Sequence, residues 1–424
     1  MLWQPSIPDR YTRTPSGELA ALITERRRQL GERVFILGHH YQVDAVIRHA
    51  DTTGDSLKLS QIAAKIASER DVEHVIFCGV HFMAETADML TPDHVKVILP
   101  DLSAGCSMAD MADYDDTVDA WERIHEALRI EAGGNWNGRV IPITYVNSSA
   151  AIKAFVGEHG GVCCTSSNAD RVFEWAMNGG ETPKATGPDG QAEEIKILFL
   201  PDQHLGRNTA HKFGIDVANR SVVYDPKLAS KGEPFGGPTS EQVANADAIL
   251  WAGHCSVHKL FRPEHCDQIR ANNENLAPGQ QPMQILVHPE CSKEVVDKAD
   301  LAGSTEFIIK TLEAAPEGSR WAVGTEHNLV NRMSNLMATR GIEVRILSDC
   351  QCLCTTMYRI DEPHLLWILD GLLGLKPDGT AKDAPYPIET DPVARNVISV
   401  HPEVTAPAVK ALDRMLNLAA PVGA

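Results

Sequence analysis

The chain has no stretch near the roughly 18 consecutive apolar residues that a membrane-spanning helix requires, so no membrane span is expected. Its first twenty residues, MLWQPSIPDRYTRTPSGELA, lack the apolar core of a secretory leader. An excess of positive charge is also missing. Against 57 acidic residues stand 39 basic ones, a formal net charge of −18, which leaves no basic stripe for a phosphate backbone and argues against nucleic-acid binding. Two cysteine patterns are absent as well. There is no Cys-x-x-Cys pair of the kind structural zinc uses, and no Cys-x-x-x-Cys-x-x-Cys run of radical S-adenosylmethionine chemistry. A cytoplasmic chain is expected. In that reducing compartment its ten cysteines bind metal or are simply buried, rather than forming a disulfide framework.

What is present describes an α/β protein with more than one core. At 424 residues with 43% hydrophobic content, two to four domains are expected. A helix over Ser16 to Leu30 leads into a buried-type strand, Val34–Leu37, that ends in Gly38, His39, His40 and Tyr41. Gly54-Asp55-Ser56 opens a helix, Val75–Cys78 forms a second strand, and Val95–Leu99 a third that runs toward Cys106. The order then repeats. Val140–Thr144 ends in Tyr145-Val146-Asn147, Thr165-Ser166-Ser167 starts a helix, Ile195–Leu200 follows, and Ala248–Trp251 runs into Cys255. In the third pass Met283–Val287 ends in His288-Pro289-Glu290 and Ser304-Thr305 opens a helix. Trp321–Val323 follows, and Glu343–Leu347 runs into Cys350, Cys352 and Cys354. Three β-α-β-α-β units imply three homologous three-layer α/β/α domains with short parallel sheets. Their expected limits are 1–106, 107–258 and 259–360, with the helices of 361–424 packing on the first. The Gly/Pro-rich stretches 179–193 and 225–240 read as surface insertions in the second.

Parallel α/β units bind ligands beyond the carboxyl ends of their strands. Each unit places there a polar cluster, a Ser/Thr helix start and a cysteine. Helix starts favour anions through their free N–H groups, so Ser56, Ser166 and Thr305 suit a substrate carrying carboxylates or phosphate. A lone helix start is more often a plain cap, and a lone histidine more often structural; the threefold repetition is what favours a site. Glu290 beside His288 is the candidate general base, since an enclosed carboxyl is expected to titrate nearer neutrality, and Tyr41 is a candidate proton carrier. One cysteine per unit, Cys106, Cys255 and Cys354, makes a three-thiolate site suited to an iron–sulfur cluster or zinc. Spacing alone leaves Cys350 and Cys352 as rivals for the third ligand, with Cys291 a weaker one. A non-catalytic metal-binding module is the competing class, although it has no need of the polar clusters.

GHHYQ, GDSLKLS, FCGVHFMAETADML, AGCSMAD, YVNSSA, CTSSNA, GHCSVH, HPECS, GSTEF, GTEHNLVNRM and CLCTTM, in that order over about residues 30–360, resemble the quinolinate synthase family. The resemblance implies three α/β/α domains in a pseudo-threefold arrangement around a central [4Fe–4S] cluster on Cys106, Cys255 and Cys354, the last preferred because CTTM matches the family's ending. It implies substrate contacts at His39, Ser56, Tyr145, Val146, Asn147, Ser166, His288, Pro289, Glu290 and Thr305. Catalytic roles would fall to Glu290, Tyr41, His39 and His288. The implied reaction condenses iminoaspartate with dihydroxyacetone phosphate to quinolinate, releasing phosphate and water. Iminoaspartate is unstable, which makes an aspartate-oxidising enzyme a candidate partner.

Overall fold

The computed structural model describes residues 4, 6–186, 192–349, 352–377 and 388–418, so Cys350 and part of the 179–193 insertion lie outside the described residues. The chain forms two compact units. One comprises Met1–Cys106, Glu326–Arg332 and Leu353–Val400, and the other Ser107–Thr325, Met333–Cys352 and His401–Ala424.

In the first unit the run VFILGH makes strand β1 (Val34–His39), buried at all six positions. A strand this uniformly apolar requires cover on both faces, the signature of a parallel sheet between helices. Alongside lie β2 (Thr52–Gly54), β3 (His74–Cys78) and β4 (Lys96–Ile98), in the parallel order β2-β1-β3-β4, with Val397–Ile398 antiparallel on the β4 edge. Helix Glu362–Leu372 packs on Ser16–Leu30. Its buried Asp370 accepts from the Tyr11 hydroxyl at 3.0 Å and from Arg26 Nε at 2.8 Å.

The second unit holds two sheets. One contains β5 (Arg139–Tyr145), β6 (Val162–Cys164), β7 (Ile195–Leu200), β8 (Ser221–Tyr224) and β9 (Ala248–Trp251), ordered β6-β5-β7-β9-β8. The other contains β10 (Met283–Val287), β11 (Leu301–Ala302), β12 (Arg320–Gly324) and β13 (Glu343–Ile346), ordered β11-β10-β12-β13. Both are parallel throughout. Counting from the first strand of each, the order 2-1-3-4 occurs in all three sheets, and β8 is an extra edge strand. The mixed α/β class with short, mostly parallel, helix-flanked sheets is therefore observed. The first two sheets have two strands more than the periodicity suggested and the third has one more. The added strands β2, β6 and β11 are two or three residues long, too short for any alternation to register.

The tail is divided. Helix Pro402–Leu418 packs not on the first α/β stretch, as its place in the sequence suggested, but on Ala150–Glu158 and β6. The physical reason is a close-contact seam. Ala408, Ala411, Leu412 and Met415 are fully buried, and a Cβ added at Gly157 would lie 1.9 Å from the Pro407 carbonyl oxygen. Only a glycine lets the two helix backbones touch there.

Candidate active site and metal centre

In an open sheet of this order the ligand crevice lies where the first and third strands diverge, outside their carboxyl ends. All three sheets put their polar clusters there. His39 is the last residue of β1 and Tyr145 the last of β5, while His288 directly follows β10.

The second unit brings the largest group together. Glu290 is 3% exposed, and its Oε2 lies 2.7 Å from His258 Nδ1. His258 stacks on His288 with ring centroids 4.6 Å apart, and its Nε2 lies 3.2 Å from Thr325 Oγ1. His288 Nε2 is 3.1 Å from the Ser166 hydroxyl, and the Glu290 N–H donates to His288 Nδ1 at 3.3 Å. Burial alone would push the Glu290 carboxyl up. The neighbouring His258, through its charge and a hydrogen bond, and a hydrogen bond from Tyr145 outweigh it and hold the carboxyl well below the usual carboxylate range. Burial pushes His288 down to about 3, so at neutral pH this ring is uncharged. The expected upward shift of Glu290 is thus reversed, because a histidine that sequence reasoning did not single out sits against it.

The turn before helix Ala169–Met177 and the start of helix Thr305–Glu313 lie beside this group. Asn168 Oδ1 accepts from the Thr165 N–H at 2.8 Å and its hydroxyl at 3.1 Å, which leaves Ser166 to face His288. Ser304 caps Thr305–Glu313 by accepting from the Phe307 N–H at 3.3 Å. Ser166, Pro289 and Ser304 line one cavity of about 440 Å³, together with Asn208 and Phe307. The buried Asn147 Oδ1 has no hydrogen-bond partner among the described residues, an open acceptor that a substrate donor can fill.

In the first unit His39 is buried, and its Nδ1 accepts from the Tyr41 N–H at 3.1 Å. The two rings meet edge to face at 4.8 Å. The loop is braced from GTEHNLVNRM. Asn328 Nδ2 donates to the Tyr41 carbonyl at 3.1 Å, and the Arg332 guanidinium donates to the carbonyls of His40 and Gln42. Asp55 caps the helix that begins at Ser56 by accepting from the Lys58 N–H at 2.9 Å.

The described cysteines fall into two groups. Cys106, Cys255 and Cys354 are half-buried, whereas Cys78, Cys163, Cys164, Cys266, Cys291 and Cys352 are buried. Burial pushes the Cys78 and Cys163 thiols up to about 12, which makes them inert core residues. The three half-buried cysteines share a local structure that the others lack. Each is followed, three residues on, by a single 3₁₀ turn: Ala109–Met111, His258–Leu260 and Met357–Arg359. Cys352 instead points to the buried Ser348 hydroxyl, 3.2 Å away. Within the first unit Arg359 donates to the Ser103 hydroxyl at 3.1 Å, tying the turn after Cys354 to the loop before Cys106. Within the second, the hydroxyls of Ser107 and Ser256 lie 3.5 Å apart. Donor atoms of Cys255, His258 and Glu290 also lie within 4.8 Å of one another, so a metal held at Cys255 would lie close to the Glu290–His258 pair. His258 had one signal in the sequence, its place three residues after Cys255 in GHCSVH.

Residues 22–417 match the family described as Quinolinate synthetase A protein. The chain is 50% identical to a quinolinate synthase of Nocardioides sp. over 390 residues, covering 92% of this chain and 86% of the relative. It is 47% identical to one of Acidobacterium capsulatum over 410 residues, 97% and 95% of the two chains, and 46% identical to one of Streptomyces coelicolor over 402 residues, 95% and 88%. The matched span contains the strand-end clusters, the three cysteine turns and the Glu290–His258 pair, and the chain belongs to the quinolinate synthetase A family.

Proposed function

We propose that the chain is a transferase that condenses iminoaspartate with dihydroxyacetone phosphate to quinolinate, with loss of phosphate and water, and that Cys106, Cys255 and Cys354 hold a [4Fe–4S] cluster. One observation carries the metal assignment. These three residues alone among the described cysteines are less than fully buried, and all three precede the same 3₁₀ turn. Burial pushes the Cys354 thiol up, so what would hold its sulfur as thiolate is a bound cation. Held by these three cysteines, such a cluster would supply Lewis-acid assistance to loss of a substrate hydroxyl.

The chain's own groups supply the rest. Ionised Glu290 accepts a substrate proton, and His258 sets its charge. Neutral His288 is placed to exchange hydrogen bonds with Ser166 and substrate, because it carries no charge that the cavity must solvate. The helix starts at Ser56 and Thr305, with Ser166 in the turn before helix Ala169–Met177, take the carboxylates and the phosphate, and Tyr145, Val146, Asn147 and Pro289 complete the contact surface. His39 and Tyr41 relay protons during isomerisation and ring closure. The domain limits 1–106, 107–258 and 259–360 remain our reading of the triplication.

The Cys255, His258 and Glu290 donors favour a second reading, a single divalent ion bound by those three. One anaerobic experiment separates them. The purified chain is assayed for quinolinate with both substrates while its iron is counted. About four irons per chain with quinolinate formed, and both lost in Cys255→Ala, supports the cluster enzyme. One metal per chain and no quinolinate refutes it.

A further inference from the structure

The third strands of the sheets, β3, β7 and β12, end in Cys78, Leu200 and Gly324. Two residues past each end lies the residue just before the next helix: Val80, Asp202 and Glu326. Two of the three equivalent positions therefore carry a carboxylate, and both carboxylates are fully buried at 0% exposure. Burying a carboxylate is unfavourable unless its oxygens are well supplied with donors. Helix capping explains one oxygen of each. Asp202 Oδ1 accepts from the N–H groups of His204 and Leu205, both at 2.7 Å. Glu326 Oε2 accepts from those of Asn328 and Leu329 at 2.8 and 3.2 Å. Capping does not explain the second oxygen. Asp202 Oδ2 accepts from the Cys255 N–H at 3.2 Å, and Glu326 Oε1 accepts from the Cys354 N–H at 3.5 Å, together with Asn328 Nδ2 at 3.2 Å. In the second unit the loops are pressed together at this point, since a Cβ on Gly253 would sit 2.1 Å from the Pro201 carbonyl oxygen. A surface Asp or Ser suffices to cap a helix, so full burial and the reach to a cysteine, found in two copies, point to a further task.

We propose that Asp202 and Glu326 are positioning residues for the metal centre, each clamping the backbone of one cysteine, Cys255 or Cys354, to the start of a rigid helix. The clamp occupies the cysteine N–H, which keeps that donor off the sulfur and fixes the direction in which the thiolate leaves the chain. The third cysteine loop is held otherwise. Val80 has no acceptor in its side chain, and the Ala104 N–H instead bonds to the Asp101 carbonyl at 3.1 Å while the His81 N–H bonds to the Ala104 carbonyl at 2.8 Å.

The proposal rests on the cluster reading, and its test separates the two. Asp202→Asn and Glu326→Gln keep the volume and an oxygen for the helix, but the amide NH₂ turned toward the cysteine N–H opposes donor to donor. Asp113→Asn, at an ordinary exposed cap of Tyr114–Glu131, is the control. Full-length proteins are loaded with iron and sulfide anaerobically, and three quantities are read: iron retained under a chelator, the electron paramagnetic resonance spectrum of the reduced cluster, and the melting temperature of the metal-free chain. Both variants should lose iron about 10-fold or more faster than the parent, as outer-shell changes at metal sites do, with altered spectra, while Asp113→Asn does neither. Parent-like iron retention and spectra in both variants overturn the proposal, whatever the melting temperatures do. A parent that takes up no cluster overturns the cluster reading instead. Should Asp202→Asn fail to fold, Glu326→Gln alone decides.

Discussion

Replacing Gly157 by alanine tests how a helix remote from the chemistry supports it. Gly157 lies inside Ala150–Glu158, and at an open helix position glycine-to-alanine stabilises by about 1 kcal/mol through propensity. Here the new Cβ would stand 1.9 Å from a backbone oxygen, that of Pro407. Carbon and oxygen in contact need roughly 3.2 Å, so the helices must part by more than 1 Å; a backbone atom cannot rotate away. Overpacking of this kind costs typically 1–3 kcal/mol. With the unyielding partner the upper end applies, leaving a net loss of about 2 kcal/mol. The displacement should also be felt at the site. Met415, on the displaced helix, accepts at its carbonyl from Asn168 Nδ2 at 3.2 Å, and the same Asn168 side chain holds Thr165, next to Ser166. Hydrogen exchange is the assay. Amides of residues 405–416 should exchange about 30-fold faster, the factor that 2 kcal/mol corresponds to, and KM for the anionic substrates should rise. Unchanged or slower exchange there would mean that propensity outweighs contact and that the helices do not touch as described.

Glu290→Gln should lower quinolinate formation by about 10²- to 10⁴-fold, the usual worth of a general base, with iron content unchanged; near-parental turnover removes its role as base. His258→Ala takes away the strongest counterweight to burial at Glu290, so the acidic limb of the kcat/KM profile should move up by about one pH unit or more, and an unmoved limb refutes the pairing. His288 is pushed down to about 3, so the unfolded chain takes up its proton before the folded one does. Its stabilising effect is present above about pH 6.5 and is lost as the pH falls from there toward 3, at about 1.4 kcal/mol per pH unit. Urea midpoints of His288→Gln at pH 7.5 and 5.5 should therefore differ less than those of the parent; equal slopes refute it. Cys352→Ala should keep the iron that Cys354→Ala loses, and the reverse result would move the third ligand.

The parallel-sheet core was legible because buried strands such as VFILGH and IKILFL are apolar on both faces, a pattern carried by the residues themselves. Other features depended on contacts between distant segments. β2, β6 and β11 owe their strand character to lying beside β1, β5 and β10, and no periodicity fits in two or three residues. Glu290 shows how such a contact reverses a sign: burial was foreseeable, but the opposing His258 comes from a loop 32 positions earlier in the chain. The cysteine spacing admitted Cys350, Cys352 or Cys354, and what distinguishes Cys354 from Cys352 is a 3₁₀ turn and a buried serine, neither written in the spacing.

Triplication also explains why the repeats read so clearly while their roles did not. Three copies with strand order 2-1-3-4 fix three equivalent places beyond the first strand, and those places carry His39 and Tyr41, Tyr145 and Asn147, His288 and Glu290. Backbone topology sets where a side chain emerges, and it leaves open which side chain that is. The copies could therefore diverge into a His–Glu pair in one, an amide acceptor in another and an edge-to-face His–Tyr pair in the third, without disturbing the sheets. The position two residues past the third strand follows the same logic, with Asp202 and Glu326 in two copies and Val80 in the other. A repeat that preserves positions and varies chemistry lets one strand plan carry three different sets of side chains.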